Sequence, residues 1–555
     1  MSRAFVLSVL VALVVHPSRA QDLQTPEATV DALMAAYGGE GPGGVVAVYR
    51  GGEVVFAKGY GLADVEYAAP NTPATPYHMA SVSKQFTAFA VALLAEQGSL
   101  SLDDDVRRYL PEVPDFGRTI TLRHLLHHTS GLRDQWTLWV LAGGRMDDVI
   151  RKGDLMRLVE HQRDLNFEPG SEHLYSNTGY LLLSEVVARV TGHPFGEWME
   201  ANVFGPLGME NSQIYDDHER IVPGRAYSYY EDDGVLKKAV LSYANSGATS
   251  LFTTAEDLAH WLRNFATHEV GGPAVTRAML ERGVLTNGDT LDHALGVVID
   301  RHRGLRRIQH SGGDAGYRTF LAYYPGIDAG VAVMGNVASF DPGVVKPTAE
   351  AFFAADMEDP TASVSDGPAV EVPEALLDAY AGEYQIENGP ALTVVRSGNG
   401  LTAQIEGQPE APLVAVADTL FRVDVPGVDA GLSFHPGPDG EVDRASTFQG
   451  DVWAPLLLRG RAAWEPSPEA LGDYAGRYYS PELETAYVAR EEGGRLVLVH
   501  RRHGEVELEP VSENAFRSGL WFMGRVEFDR DETGSVTGMR VSSDRVRNVR
   551  FQKEP

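Results

Sequence analysis

The sequence predicts a mixed α/β (α+β) domain that is followed by two small antiparallel β-barrel domains. Three observations support this prediction. Helix and strand patterns are mixed over residues 21–357. The composition then changes at residues 358–372, where Pro, Ser, Asp and Gly dominate and a linker is predicted. Beyond the linker, a segment rich in short strand patterns occurs twice with a nearly constant offset.

The size, charge and composition of the chain exclude several kinds of function. The 555 residues are too many for one hydrophobic core, so several domains are expected. The formal net charge of −30 disfavours binding to nucleic acid and to anionic membrane surfaces. The chain has no cysteine, which excludes disulfides, thiol chemistry and a lipid anchor on cysteine.

The N-terminus has the features of a secretory signal peptide. Arg3 precedes an apolar core at residues 4–15, and Ser18 and Ala20 occupy the small-residue positions of a cleavage site. The apolar core is too short for a membrane span, which needs about 20 residues. We therefore expect residues 1–20 to be removed and the mature protein to be periplasmic or extracellular, without a stable membrane anchor.

Local patterns predict the first elements of the mixed domain. Residues 43–61 read as two strands that are joined at Gly51-Gly52, which predicts a β-hairpin. Residues 82–98 are apolar nearly all round and end at Gly98, which is typical of a buried helix with a glycine stop.

Later patterns in the same domain predict another helix and another strand pair. Thr254 and Asp257 have the spacing of a capping box at the start of an amphipathic helix over residues 253–265. Two apolar runs within residues 318–336 predict a second pair of strands.

The repeat predicts one β-barrel over residues 373–465 and another over residues 466–555, with β-sandwiches as the alternative. The stretch PEALLDAYAGEY begins at residue 373 and recurs as PEALGDYAGRY at residue 468. Further positions recur at an offset of 94 or 95 residues: Leu401 and Leu496, Phe421-Arg422 and Phe516-Arg517, Phe434 and Phe528.

Ser81 and Lys84 lie three residues apart at the head of the predicted buried helix, in a chain where lysine is scarce. Residues i and i+3 share one face of a helix, so the amine is expected over the hydroxyl. A serine becomes a good nucleophile when a base removes its proton, and a lysine in an apolar site can lose its own proton near neutral pH. The pair predicts a nucleophile and its base; a helix-capping serine with a surface lysine is the alternative interpretation.

Two further motifs lie downstream: Tyr175-Ser176-Asn177 and His310-Ser311-Gly312-Gly313. With Ser-x-x-Lys, they resemble in order and approximate spacing the motifs of the serine β-lactamase and penicillin-binding protein family. The first two motifs resemble the class C branch of that family, and the third resembles the His-x-Gly variant of D-aminopeptidases and related esterases. The resemblance covers residues 40–350. It implies a β-lactamase-like catalytic domain over residues 21–357, with an antiparallel sheet and a helical subdomain.

The resemblance also implies roles for the residues of the first two motifs. Ser81 would attack the acyl carbon of the substrate and form an acyl-enzyme. Lys84 and Tyr175 would share the general-base and general-acid work, with the first proton acceptor left open between them. Asn177 would hydrogen-bond Lys84 and the substrate amide.

The third motif would provide the opposite wall of the site. His310, Ser311 and Gly312 would contact the substrate, and the backbone N–H groups of Ser81 and Gly313 would form the oxyanion hole. In the related Lys-Thr-Gly motif, the lysine helps to bind a substrate carboxylate, whereas a histidine is largely neutral at pH 7. We therefore expect weaker carboxylate recognition, and an amide, a D-amino-acid peptide or an ester as the substrate.

Other catalytic patterns are not supported by the sequence. His127 and His128 are adjacent and do not point at one metal ion, and the chain has no His-Glu-x-x-His pattern, so neither a metal nor another cofactor is expected. The Gly-x-Ser-x-Gly motif of α/β-hydrolases is absent. The motifs Ser-Asp-Asn and Lys-Thr-Gly are absent as well, which disfavours a class A β-lactamase.

D-aminopeptidases of this family resemble the chain over its whole length, since they have a catalytic domain and two eight-stranded barrels. In them, a loop of the last barrel reaches the catalytic cleft. The resemblance makes residues 512–524 the candidate for such a loop here, because Leu520, Trp521 and Phe522 are apolar between polar neighbours. Core packing inside the barrel is the alternative explanation for these three residues.

Three functional hypotheses follow from the sequence. The first is an exported serine hydrolase of D-amino-acid peptides or amides, similar to D-aminopeptidases. The second is an esterase, weak β-lactamase or D,D-peptidase that uses the same motifs. The third is a non-catalytic exported binding protein on a hydrolase scaffold. A small peptide, amide or ester is the expected partner of the first two, and assembly into a homo-oligomer is left open.

Overall fold

The computed structural model describes most of the chain. Its described residues are 25–243, 245–358, 369–386, 391–405, 410–424, 430–436, 442–449, 452–458, 464 and 466–555. The predicted signal peptide and most of the predicted linker lie outside these residues. The chain forms two compact units. One contains Gln21–Glu358, Ser467–Glu509 and Leu520–Pro555, and the other contains Asp359–Pro466 and Pro510–Gly519.

The helices of the described residues lie mainly in the first two thirds of the chain. They are α1 Pro26–Leu33, α2 Lys84–Glu96, α3 Leu122–Leu126, α4 Gln135–Leu141, α5 Lys152–Glu160, α6 Asn177–Thr191, α7 Phe195–Met199, α8 Gly205–Leu207, α9 Ala255–Thr267, α10 Gly272–Met279, α11 Val345–Phe353, α12 Glu374–Tyr380 and α13 Pro468–Gly472. None of the helices in the described ranges has the length and apolarity that a membrane crossing requires.

The strands before residue 357 are short except in one central sheet. They are β1 Gly44–Arg50, β2 Glu53–Tyr60, β3 Leu62–Asp64, β4 Ala69–Pro70, β5 Tyr77–His78, β6 Gln213–Ile214, β7 Tyr229–Asp232, β8 Val235–Lys238, β9 Leu251–Thr253, β10 Val298–His302, β11 Leu305–Asp314, β12 Tyr317–Tyr324 and β13 Ala329–Gly335. The central sheet has six antiparallel strands in the order β10-β11-β12-β13-β1-β2. Both predicted strand pairs are confirmed within it.

The central sheet is buried on both faces, which explains why β1 is apolar throughout. Val45, Ala47 and Tyr49 point into the larger core, where α2, α6 and α9 pack. Val46 and Val48 point into a second core, which contains side chains of α1 and α11. Because successive side chains of a strand point to opposite faces, both sets must be apolar in a sheet that is covered on both sides.

Two of the predicted helices are present with shifted boundaries. The helix predicted at residue 82 begins at Lys84, because Ala80–Ser83 form a 3₁₀ turn before it. Thr254 caps α9 by accepting from the Asp257 N–H at 3.1 Å. The Asp257 carboxylate instead accepts from the Ser212 hydroxyl at 2.7 Å, so only half of the predicted capping box is described.

The repeated segments form two closed eight-stranded barrels, so the barrel prediction is confirmed over the sandwich alternative. The first barrel consists of β14 Gly382–Ile386, β15 Ala391–Ser397, β16 Gly400–Ile405, β17 Ala411–Ala415, β18 Leu420–Val423, β19 Ala430–Pro436, β20 Val442–Gln449 and β21 Val452–Leu458. The second consists of β22 Gly476–Ser480, β23 Thr485–Glu492, β24 Arg495–His500, β25 Gly504–Ser512, β26 Ala515–Arg517, β27 Arg525–Arg530, β28 Val536–Ser542 and β29 Val549–Lys553.

The two copies of the repeat share a hydrogen bond at the start of each barrel. The Tyr384 hydroxyl donates to the Tyr380 carbonyl at 2.8 Å, and the Tyr478 hydroxyl donates to the Tyr474 carbonyl at 2.7 Å. These tyrosines belong to the recurring stretches that begin at residues 373 and 468. The repeat therefore encodes the same local structure twice.

Candidate active site

Ser81 lies in a 3₁₀ turn that is held from two sides. Ala80, directly before it, has a left-handed φ of 48°, a conformation that costs a non-glycine residue on the order of 1–2 kcal/mol. The turn is fixed by the Leu251 N–H, which donates to the Ser83 hydroxyl at 3.0 Å, and by Thr319, whose hydroxyl donates to the Met79 carbonyl at 2.8 Å. Contacts from β9 and β12 thus hold the strained turn that presents Ser81.

The 3₁₀ geometry still brings Lys84 over Ser81, because side chains at i and i+3 eclipse in such a turn. The fully buried Lys84 Nζ donates to Ser81 Oγ at 3.2 Å, to Asn177 Oδ1 at 2.9 Å and to the Ala248 carbonyl at 2.7 Å. Burial lowers the pKa of Lys84 to about 7, with Arg545 lowering it further and Asp134 and Asp314 opposing the shift. A large part of the Lys84 population is therefore neutral at pH 7 and able to accept a proton.

Tyr175 lies beside the same amine. Its ring stacks on His128 with a centroid distance of 4.1 Å, and Lys84 Nζ is 4.8 Å from the ring centroid. Burial raises the pKa of Tyr175, although the nearby Ser81 hydroxyl and Arg545 lower it in part. The buried Tyr175 Oη has no hydrogen bond of acceptable geometry in the described residues, so the Ser81 hydroxyl is near without being a well-aligned partner. Tyr175 is therefore a protonated phenol with a free donor.

Asn177 begins α6 and is oriented by Asp134, a residue that the motifs did not indicate. The Asn177 backbone N–H and Nδ2 both donate to Asp134 Oδ2 at 2.8 Å. This pair of contacts turns the amide oxygen of Asn177 toward Lys84. Asp134 also caps α4, where it accepts from the Trp136 N–H at 3.0 Å. An Asp before a short helix is a common cap, so its contact with Asn177 had no separate sequence signal.

The third motif lies on β11, where residues 311–313 face the cleft and the interior in alternation. Ser311 and Gly313 are exposed and line the cleft, whereas Gly312 is buried. A Cβ on Gly312 would clash with Thr319 Oγ1 and lie 2.5 Å from the Met79 carbonyl. Glycine is thus required at position 312 by the protein's own packing against the turn before Ser81. The expected contact between Gly312 and substrate stays a prediction.

His310 lines the cleft as a neutral side chain. Burial lowers the pKa of His310 to about 4, and the neighbouring Lys84 lowers it further. One ring nitrogen, Nδ1, lies 2.6 Å from the Ser311 carbonyl, and the buried Nε2 has no partner among the described residues. The structure therefore places an uncharged imidazole where the related Lys-Thr-Gly motif carries a cation.

The adjacent histidines His127 and His128 have separate partners. The ring of His127 lies between the carbonyls of Arg123 and Glu281, at 3.2 and 3.1 Å. His128 Nδ1 accepts from the Ser176 N–H at 3.1 Å while its ring supports Tyr175. His128 thus supports the second motif, whereas His127 connects α3 to the segment after α10.

The motif residues surround a cleft of about 890 Å³, and the second barrel contributes part of its wall. Trp521, Asp544 and Arg545 of that barrel line the cleft together with Ser81. Trp521 belongs to the segment predicted to reach the cleft, whereas its neighbour Phe522 is buried and packs on the His503 ring at 5.0 Å. Asp544 and Arg545 follow β28 and had no sequence signal.

Comparisons with known proteins agree with this fold. The β-lactamase family model matches residues 27–355, and the model of a domain of unknown function, DUF3471, matches residues 366–454. A D-aminopeptidase of Gluconobacter oxydans (strain 621H) is 26% identical over 551 residues, which cover 95% of this chain and 98% of the relative. A penicillin-binding protein of Bacillus subtilis (strain 168) is 27% identical, with 72% of this chain and 94% of the relative covered.

A solved structure extends the comparison to the fold. The octameric penicillin-binding protein homologue of Pyrococcus abyssi has a TM-score of 0.53 at 24% identity, and 78% of this chain and 99% of that chain are covered. The family model and the relatives define a serine hydrolase. The chain belongs to the β-lactamase family, whose model covers more than half of it.

Proposed function

We propose that the protein is an exported serine hydrolase that cleaves amide bonds of D-amino-acid peptides or amides through an acyl-enzyme. The observation that carries this proposal is the hydrogen bond between Lys84 Nζ and Ser81 Oγ at 3.2 Å, in a site where the lysine loses its proton near pH 7. The likeness to a D-aminopeptidase along 95% of the chain supports the choice of substrate.

Acylation of Ser81 requires a base, an acid and an oxyanion site. The neutral Lys84 amine accepts the Ser81 proton while Ser81 Oγ attacks the acyl carbon. The backbone N–H groups of Ser81 and Gly313 stabilise the oxyanion that forms. Tyr175, whose raised pKa keeps it protonated, donates its proton to the leaving nitrogen, and Lys84 returns the proton it holds to the phenolate. The opposite pKa shifts support Lys84 as the base and Tyr175 as the acid.

Hydrolysis of the acyl-enzyme reverses these proton transfers. Water takes the place of the leaving amine near Tyr175. Tyr175 passes its proton to the neutral Lys84 and takes a proton from the water, whose oxygen attacks the ester carbon. The Ser81 oxygen leaves and recovers its proton from Lys84. Asn177 keeps Lys84 in place during both steps, since its amide oxygen accepts from Nζ at 2.9 Å.

The substrate proposal is tested by a panel of chromogenic compounds with the Ser81→Ala variant as control. We expect faster hydrolysis of D-alanine p-nitroanilide than of its L enantiomer, p-nitrophenyl acetate or nitrocefin, and no turnover by the variant. The fastest turnover on nitrocefin or on the acetate ester would instead favour the β-lactamase or esterase alternative. Folded protein without Ser81-dependent turnover of any compound would favour a binding protein on a hydrolase scaffold.

Export is tested separately by the N-terminal sequence of the protein recovered from its native host. The proposal requires a mature N-terminus at Gln21 in the periplasmic or extracellular fraction. Full-length protein retained in the cytoplasm would contradict it.

A further inference from the structure

The cleft contains a cation that no motif supplies. The guanidinium carbon of Arg545 lies 5.1 Å from the ring centroid of Tyr175, within cation–π range. Arg545 lies in the turn between β28 and β29 of the second barrel, some 370 residues after Tyr175 in the sequence. This turn is a different segment from the one predicted to reach the cleft.

The turn that carries Arg545 is fixed by its backbone. The Ser543 N–H donates to the Val546 carbonyl at 2.7 Å, and the amide of Asn166 donates to the Arg545 carbonyl at 3.0 Å. The fully buried Arg133 donates to the Arg547 carbonyl at 2.9 Å. These contacts hold the main chain and leave the Arg545 side chain to face the cleft.

The buried Arg133 is in turn anchored to the same barrel. Its Nη1 donates to the carboxylate of Glu482 at 2.6 Å, and both side chains are at most 4% exposed. Arg547 adds an ion pair to Glu172 at 3.0 Å. The position of the Arg545 turn is therefore set by interactions that do not involve its own guanidinium.

The Arg545 guanidinium is available for a ligand. Its only ion pair in the described part of the chain is with the adjacent Asp544, at 3.7 Å from Nε, and 41% of its side chain is exposed. By contrast, Arg318, another cleft-lining arginine, donates to the Tyr317 and Ala315 carbonyls at 2.7 and 3.2 Å. Arg545 thus has donor capacity that the protein itself does not use.

We propose that Arg545 binds a carboxylate on the leaving group of the substrate, which makes peptides with a free C-terminal carboxylate next to the scissile bond preferred over the corresponding amides. This inference rests on the proposed function. Tyr175 must approach the leaving nitrogen within about 3 Å to donate its proton. In an amino-acid leaving group, the carboxylate is attached one carbon from that nitrogen, so it lies on the Tyr175 side of the cleft.

Arginine is suited to this role because its planar donors match a carboxylate. The neutral His310 does not provide the charge that the lysine of Lys-Thr-Gly provides in related proteins. Arg545 thus supplies a cation to this cleft from the second barrel rather than from β11. The second barrel, and not β11, then provides the carboxylate recognition that the sequence predicted to be weak.

The test compares two substrates that differ only in the group that Arg545 would bind: D-alanyl-D-alanine and D-alanyl-D-alaninamide. We expect Arg545→Gln to lower kcat/KM for the dipeptide about 10- to 100-fold, mainly through KM, and for the amide less than about threefold. The loss of kcat/KM on the dipeptide in Arg545→Lys should be intermediate, since lysine keeps the positive charge but lacks the paired planar N–H donors of arginine. Arg550→Gln, which alters an arginine paired with Asp164 at 3.3 Å, is the matched control with both rates retained.

An equal loss on both substrates would overturn the proposal, because it would mean that Arg545 acts on Lys84 and Tyr175 rather than on the substrate. No loss on either substrate would overturn it as well. Assays at pH 8.5 distinguish these outcomes from a shift of the pH profile. A thermal melt of each variant distinguishes them from misfolding.

A second substrate pair distinguishes failure of this inference from failure of the proposed function. If the wild-type protein cleaves neither dipeptide, the D-peptidase function is wrong, and Arg545 is tested with 3-acetoxybenzoate and 3-acetoxybenzamide. Their leaving groups carry a carboxylate and an amide, respectively. A selective loss on the benzoate in Arg545→Gln would support the carboxylate site, whereas no turnover of any substrate would overturn both proposals.

Discussion

At the scale of single residues, the site depends on opposite shifts of two pKa values, those of Lys84 and Tyr175. Burial lowers the pKa of Lys84 and raises that of Tyr175, so the lysine can lose its charge near pH 7 while the phenol stays protonated. Lys84 Nζ has three partners: the charged amine donates to all of them, whereas the neutral amine donates to Asn177 and Ala248 and turns its lone pair to the Ser81 hydroxyl. In the proposed mechanism, these two residues are the base and the acid that act beside the Ser81 hydroxyl.

The first prediction concerns the pH dependence of kcat/KM. Lys84 is active as a base only after it loses its proton, and its pKa is about 7, so kcat/KM should rise with pH through a midpoint near 7. Asp134→Asn removes a negative charge that raises this pKa and should shift the midpoint to lower pH. Arg545→Gln removes a positive charge and should shift it to higher pH. Shifts in the same direction, or a flat profile between pH 6 and 8, would contradict this role for Lys84.

The second prediction concerns the free hydroxyl of Tyr175. Tyr175→Phe removes the proposed proton donor and keeps the ring that stacks on His128, so kcat should fall about 10²- to 10⁴-fold while thermal stability changes little. Steady-state kinetics on an amide substrate and a thermal melt measure the two effects. A variant with unchanged kcat on an amide would exclude Tyr175 as the acid.

At the scale of elements, the site is built where a 3₁₀ turn, α6 and β11 meet. The motifs were predictable because each carries its reactive groups within four consecutive residues and their order is that of a known family. The hairpin at Gly51-Gly52 was predictable for a similar reason, since both glycines have the positive φ of such a turn. The start of α2 was not, because the contacts that hold the 3₁₀ turn come from β9 and β12.

Asp134 and Arg545 were beyond sequence reasoning for a physical reason. Each is an ordinary residue locally, a helix cap in one case and a turn arginine in the other. Their relation to Lys84 and Tyr175 exists only through packing of distant segments. A single sequence contains no pattern that records such a contact.

The third prediction tests how closely β11 packs on the turn before Ser81. Gly312→Ala places a methyl group 2.5 Å from the Met79 carbonyl and should lower the free energy of unfolding by about 1–3 kcal/mol, with loss of activity as the turn moves. Gly313→Ala is the matched control for stability, since its nearest contact is the Arg318 side chain at 3.8 Å. Urea unfolding of the two variants measures the difference. Equal stability of both would show that β11 is not packed so closely.

At the scale of the whole molecule, the second barrel lines part of the cleft and forms a buried ion pair, Arg133–Glu482, with the segment before α4. We propose that residues 21–357, 373–465 and 466–555 are three folding domains, with the linker 358–372 between the first two. Limited proteolysis should cleave first within that linker. First cleavage between the second barrel and the rest of its compact unit would argue against the importance of the buried Arg133–Glu482 pair.

The fourth prediction measures that pair directly. Arg133→Met leaves the Glu482 carboxylate buried without its cation, and it should lower the free energy of unfolding by about 3–5 kcal/mol at pH 7. The double variant with Glu482→Leu should recover part of this loss, because no unpaired charge remains while the hydrogen bond to the Arg547 carbonyl stays lost. A double-mutant cycle by urea unfolding gives both values. Additive losses would mean that the two side chains do not stabilise each other.

The most direct measurement of the central claim is intact-mass analysis of the protein after reaction with a fluorophosphonate, followed by peptide mapping. A single adduct on Ser81 is expected, and it should form more slowly in Lys84→Met and be absent in Ser81→Ala. Labelling of a different residue, or an adduct that persists in folded Ser81→Ala protein, would contradict the assignment of Ser81 as the nucleophile.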